Sequence, residues 1–415
     1  MNLSLWAIAG ICLLLLVVYI IKPVFLTLKS KAQTDDSEDK PNTGFWIQTT
    51  FSEPEAFSSI SQNYEEQSSS WKLAMKQVCH ELTDLNIGSV TLVHGTFVGT
   101  DPFDILRLCD TLIPGLSEKI KLRLKINKDQ LFSDSGHFSK NYLNLIRQSM
   151  NPEVSCNLFE WSSGNHHIAR VLGALDLLFF LTSEQKAFPK ASKIILLIGH
   201  SHAGQLFALI SQMTENTIFL KEINTLALEA GSKYSLKSVQ DRIKKLTKRK
   251  IYFVTLGTPP RYLWKLNKKS HAMHLINHRL EKPEAGGSGG VLTTRDGDYV
   301  QQWGISGSDS LSPLKKHQAL NKQLDQILDP GFNLNYWQSN LRLKKRIHSA
   351  GFNYLIDYGD NKKTPNCIST IFGHGIYTRS RVLLYNMKLI TRHFSLIQQG
   401  FCEDKLSGRL EGEQK

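Results

Sequence analysis

Apolar residues along this chain fall into two kinds of run that alternate. Short blocks rich in β-branched residues predict strands: Val90-Thr91-Leu92-Val93, Ile194-Ile195-Leu196-Leu197-Ile198, Ile251-Tyr252-Phe253-Val254-Thr255, Tyr299 to Ile305, and Tyr354-Leu355-Ile356. Between them, Ile168 to Leu181 and Gly204 to Met213 space their apolar residues as helices do. A strand that is apolar without interruption is buried on both faces, and strands separated by helices pair in parallel. The pattern therefore predicts an α/β fold, a mostly parallel sheet with helices on both faces. No internal repeat is present. Ala285 to Gly290 (Ala-Gly-Gly-Ser-Gly-Gly) predicts a surface loop rather than a phosphate cradle, because no Lys-Ser/Thr pair closes it.

One run differs. Leu3 to Ile21 carries no charge, and as a helix it would span about 28 Å, close to the thickness of a bilayer core. No Lys or Arg precedes it and no small-x-small site follows, so an uncleaved transmembrane anchor is expected rather than a signal peptide. Lys22, Lys29 and Lys31 follow the span, which predicts a single-pass membrane protein with the remainder of the chain in the cytoplasm. The expected organisation is an anchor over 1–28, a polar tether over 29–44, a globular domain over 45–402 and a polar tail over 403–415.

Composition narrows the class. Of 415 residues, 41% are hydrophobic and 21% charged, enough for a sizeable core and unlike a disordered chain. Lys plus Arg number 50 against 37 Asp plus Glu, a formal charge of +13 that favours anionic partners. Lys244-Lys245, Lys248-Arg249-Lys250 and Arg342 to Arg346 hold much of it; they predict solvated helix faces, with attraction to membrane lipids the alternative. Nucleic acid is not an expected partner, since no zinc module or aromatic-interleaved basic stretch is present. Oligomeric state is left open. The 6 cysteines are scattered, without the density of a disulfide framework or the spacing of metal ligands, which fits a reducing compartment.

The candidate chemistry centres on Gly199-His200-Ser201-His202-Ala203-Gly204, between a predicted buried strand and a predicted helix. A serine among small residues at a sharp strand-to-helix turn is lifted above the sheet, and the next backbone N–H faces the position of an oxyanion. Upstream, a predicted strand ends in His94-Gly95-Thr96-Phe97, where glycine permits close approach of a loop to that serine. Trp161-Ser162-Ser163-Gly164-Asn165-His166 follows an apparent strand at Asn157-Leu158-Phe159; it either lines the pocket or shapes the adjoining loop. His94, His166, His167, His200 and His202 lack the spacing of a metal site, so no metal is expected.

These motifs, with Leu256-Gly257-Thr258-Pro259-Pro260 and Phe372-Gly373-His374-Gly375, resemble the α/β-hydrolase superfamily over about Ser89 to His393, in particular its lipase-like and esterase-like serine hydrolases. The resemblance implies an α/β-hydrolase fold and a triad in chain order Ser, acid, His. Ser201 would be the nucleophile and His374 the base, with backbone N–H groups near Thr96 or Phe97 and at His202 forming the oxyanion hole. His200 and His202 are too close in sequence to Ser201 to serve as its base. For the acid, Asp309 follows the predicted strand Tyr299 to Ile305 in a Gly-x-Asp turn. Asp357, at the end of another strand, is the alternative, and Asp360 and other carboxylates remain open. The implied activity is hydrolysis of an acyl ester, whether lipid, simple ester or thioester, without a cofactor. A serine peptidase or amidase on the same fold and a catalytically silent interaction module are the competing readings.

Overall fold

The computed structural model describes residues 47–49, 55–56, 64–95, 137–183, 193–279, 297–298, 300–301, 312, 314–328, 346–358 and 373–400. In chain order the first half supplies β1 (Ile47–Thr49), β2 (Glu55–Ala56), α1 (Ser69–Asp84), β3 (Ile87–Val93), α2 (Lys140–Ser149), β4 (Ser155–Phe159) and α3 (His167–Leu181). The second half supplies β5 (Ile194–His200), α4 (Ala203–Glu215), α5 (Thr217–Glu229), α6 (Leu236–Leu246), β6 (Ile251–Leu256), β7 (Ser270–Asn277), α7 (Lys315–Leu328), β8 (Arg346–His348), β9 (Phe352–Asp357) and α8 (Ser380–Gln398).

Seven strands form one sheet in the order β2-β9-β7-β6-β5-β3-β4, and every neighbouring pair is parallel. β1 and β8 pair separately as an antiparallel ribbon. The side-chain period of two divides the core. Leu196, Ile198, Val254 and Leu275 face one side with apolar residues of α1, α2 and α8. Ile195, Leu197, Phe253 and Ala272 face the other with those of α3, α4, α5, α6 and α7. Both faces are covered, which is why β3, β5 and β6 are buried at every position. Helix starts follow local chemistry: the side chains of Ser68, Ser139, Asn216 and Ser235 accept hydrogen bonds from first-turn N–H groups of α1, α2, α5 and α6.

The order of the strands locates the functional edge. From β3 the chain moves outward to β4, returns to the other side of β3 as β5, and then proceeds outward through β6, β7 and β9. The reversal lies between β3 and β5, and ligands in open parallel sheets bind outside the carboxyl ends of the strands at such a point. His94-Gly95 and Ser201 occupy those ends.

Two expectations are corrected. No helix among the described residues is long and apolar enough to cross a membrane, which overturns the single-pass membrane location with a cytoplasmic catalytic domain. The apolar run Leu3 to Ile21 lies outside the described residues, as do the tether and the C-terminal tail. Within the expected strand Tyr299 to Ile305, Val300 and Gln301 are helical; its other residues lie outside the described ones. β7 and β9 are direct neighbours in the sheet.

A buried histidine ties the fold to pH. His393 on α8 packs edge-on against Tyr354 of β9 and Phe394. Burial, helped by the neighbouring His271 and His274, pushes its pKa down to about 3. Below about pH 6.5 the unfolded chain binds a proton at this position that the folded chain refuses, so stability is lost as pH falls. Chemical denaturation between pH 7 and 4 is expected to show a decline of up to about 1.4 kcal/mol per pH unit from this group. His393→Phe should flatten that decline; an unchanged slope in the variant would assign it elsewhere.

Candidate active site

At the end of β5 the chain turns abruptly into α4, and Ser201 makes the turn with φ of +55°. A left-handed backbone is costly for a residue with a Cβ, so surrounding bonds must hold it. Ser201 N–H donates to the Leu256 carbonyl at 2.9 Å, and Thr258 Oγ1 donates to the Ser201 carbonyl at 2.6 Å. Ala203, where the related pattern has glycine, is the first residue of α4 and has no left-handed backbone. The strain is carried by Ser201 itself.

Gly95 closes over this serine from the end of β3. A Cβ built on Gly95 would lie 2.5 Å from Ser201 Cβ and 2.9 Å from the His200 carbonyl oxygen, so only glycine fits so near the hydroxyl. Thr96 and Phe97, the sequence candidates for oxyanion donors, lie outside the described residues. His202, the third, is buried at the start of α4 and has no side-chain capping role.

His374 approaches from the segment after β9. Its ring lies 4.6 Å from that of His200, whose Nε2 pairs with the His374 carbonyl at 2.9 Å. His374 Nδ1 donates to Asp298 Oδ2 at 2.8 Å. Nε2 makes no hydrogen bond among the described residues, although it is buried. The imidazole is therefore held through Nδ1, in a ring packed against the last residue of β5.

Asp298 was not among the residues singled out from the sequence. It is completely buried in the segment after β7, where its N–H donates to the Asn277 carbonyl at 3.0 Å. Oδ1 accepts the Gln301 N–H at 2.8 Å. Oδ2 accepts both His374 and the Tyr377 hydroxyl, each at 2.8 Å. Burial alone would push this carboxyl up; the charge and hydrogen bond of His374, the Gln301 amide and the Tyr377 hydroxyl outweigh it and hold the group below its ordinary value. Tyr377 in turn accepts the Asn277 N–H at 2.7 Å, and burial and then the Asp298 charge push its phenol well up, so it stays a donor. Gly257, from the Gly-Thr-Pro turn after β6, makes room for this cluster. It has φ of +62°, and a Cβ there would lie 2.6 Å from Asp298 Oδ2.

Of the other candidate acids, Asp357 closes β9 opposite Ala56, and the carboxylate bonded to His374 Nδ1 is Asp298. Asp309 and Asp360 lie outside the described residues. The remaining histidines of this edge have separate tasks: His166 accepts the Ala169 N–H at the start of α3, and His167 bridges Tyr262 and Asp325. Burial raises the Cys79 thiol to about 12 and the Cys156 thiol to about 11, so neither is a thiolate nucleophile at neutral pH. Chemically, the edge offers a hydroxyl held in a strained turn, an oriented imidazole and an ionised buried carboxylate. Comparison of the chain with family models, with curated proteins and with solved structures returns no match, so a functional reading must rest on this geometry.

Proposed function

We propose that the chain is a serine hydrolase with an α/β-hydrolase fold that cleaves acyl esters through Ser201, His374 and Asp298. The observation that carries the reading is the buried His374–Asp298 pair beside a strained Ser201: the His374 ring lies 4.6 Å from that of His200, the residue before Ser201 at the carboxyl end of β5. The chain order Ser, Asp, His and the placement of the serine at a strand-to-helix turn support it further.

In this mechanism His374 Nε2 takes the proton from Ser201 Oγ as the oxygen attacks the ester carbonyl. Asp298 keeps the imidazole proton on Nδ1 and stabilises the imidazolium that forms. The His202 backbone N–H, first after the nucleophile, donates to the developing oxyanion. His374 then protonates the leaving alcohol, and a water activated by the same nitrogen releases the acid.

The test is reaction with a fluorophosphonate probe followed by peptide mapping, beside hydrolysis of p-nitrophenyl esters and the matching anilides. One adduct per chain on the peptide containing Ser201, with ester turnover far above anilide turnover, is expected. A folded protein that takes up no probe and turns over neither substrate would leave only a binding role for this fold.

A further inference from the structure

The loop between β4 and α3 takes no part in the mechanism above, yet it is bonded to the strand end that carries Gly95. Ser163 is completely buried and has φ of +63°, a second non-glycine residue in the left-handed region at this edge. Such strain persists where surrounding contacts over-determine it, and it clusters at functional sites. Its Oγ–H donates to the Gly95 carbonyl at 2.8 Å. Its oxygen lies 3.0 Å from His94 Nδ1, which is also 3.1 Å from the Gly95 carbonyl. Trp161 holds His94 twice: its N–H donates to His94 Nε2 at 3.4 Å and its indole N–H to the His94 carbonyl at 2.8 Å. One arrangement of protons satisfies all of these bonds, with His94 carrying its hydrogen on Nδ1 and Nε2 accepting.

The Gly95 carbonyl is the group that matters. It belongs to the residue pressed against Ser201 Cβ. A carbonyl oxygen turned towards the reacting carbon would repel the oxyanion of the tetrahedral intermediate. We propose that Ser163 is a positioning residue that holds the Gly95 carbonyl, through its hydroxyl, so that this oxygen does not turn onto the reacting centre at Ser201, with Trp161 and His94 bracing it. This rests on the reading of Ser201 as the nucleophile.

Ser163→Gly tests it with little risk to folding, since glycine adopts the left-handed backbone freely and only the hydroxyl is lost. With a p-nitrophenyl ester, kcat is expected to fall roughly ten- to hundredfold, less than the loss from deleting an oxyanion donor itself. KM should stay within about twofold, because ground-state binding does not use this bond. Probe labelling should slow by a similar factor yet still reach one adduct per chain. Amide exchange over residues 87–95 should accelerate while that over 194–200 does not, a readout independent of turnover. An unchanged kcat in an otherwise active protein overturns the proposal and leaves Ser201 as nucleophile. A loss of activity matched by incomplete labelling and a collapsed thermal transition makes Ser163 merely structural and also overturns it. A wild-type protein that neither turns over ester nor takes up probe removes both readings.

Discussion

Ser201→Gly is expected to abolish ester hydrolysis and, in the same protein, to raise the thermal transition. In the proposed mechanism the hydroxyl is the attacking group, and removing a triad nucleophile costs on the order of 10⁴- to 10⁶-fold in kcat. The backbone works in the opposite direction. Ser201 holds φ of +55°, a conformation that glycine adopts without penalty. Strain of this kind costs on the order of 1–3 kcal/mol, and the greater freedom of glycine in the unfolded chain offsets only part of the relief. A gain of about 2 °C follows for a domain of this size. Ser201→Ala keeps the strain and loses the hydroxyl, so it should be as inactive as the glycine variant but no more stable than wild type. Differential scanning calorimetry with initial-rate assays on both variants separates the two effects. Retained hydrolysis in either variant would mean another nucleophile. A drop of several degrees in the glycine variant would mean that the turn is not strained.

The nucleophile turn was legible because three independent patterns agree there: an unbroken apolar strand, small residues around a serine, and a helical repeat immediately after. The acid was not, for reasons specific to its supporting strand. β7 reads Ser-His-Ala-Met-His-Leu-Ile-Asn, with polar residues at positions that the fold buries. His274 pairs inside the sheet with Thr255 and with the Ala350 carbonyl, and the Asn277 backbone N–H donates to Tyr377. His274 and Asn277 find partners far along the chain, so the segment breaks the apolar signature of a central strand. Tyr299, Val300, Trp303 and Ile305 are strand-forming residues, so the expected strand, and with it the expected acid Asp309, falls downstream of Asp298. Had β7 been recognised, Gly297-Asp298 would have stood out as the first glycine-acid pair beside the sheet. The order of the strands was not legible at all, because parallel pairing is set by crossovers rather than by local pattern.

Asp298→Asn is expected to lower kcat about 10⁴-fold while the thermal transition moves by only a few degrees. The argument turns on which hydrogen bonds can adapt. In the wild type Oδ1 accepts a backbone N–H from Gln301, a donor that cannot rotate away or change its proton. Oδ2 accepts the Tyr377 hydroxyl, which can rotate, and His374 Nδ1, which can give up its hydrogen. An asparagine therefore places its carbonyl oxygen towards Gln301 and its amide group towards His374 and Tyr377. Facing an N–H donor, His374 must accept at Nδ1 and carry its proton on Nε2. That nitrogen then cannot take the proton from Ser201, and Asn has no charge with which to stabilise an imidazolium. The fold is spared because Asn fills the same volume and is neutral, so no buried charge loses its partner. ¹⁵N chemical shifts of His374 would show the tautomer directly, alongside the rate. Near-normal turnover in Asp298→Asn, with collapse in Asp309→Asn or Asp357→Asn, would return the acid to one of the loops that the sequence suggested.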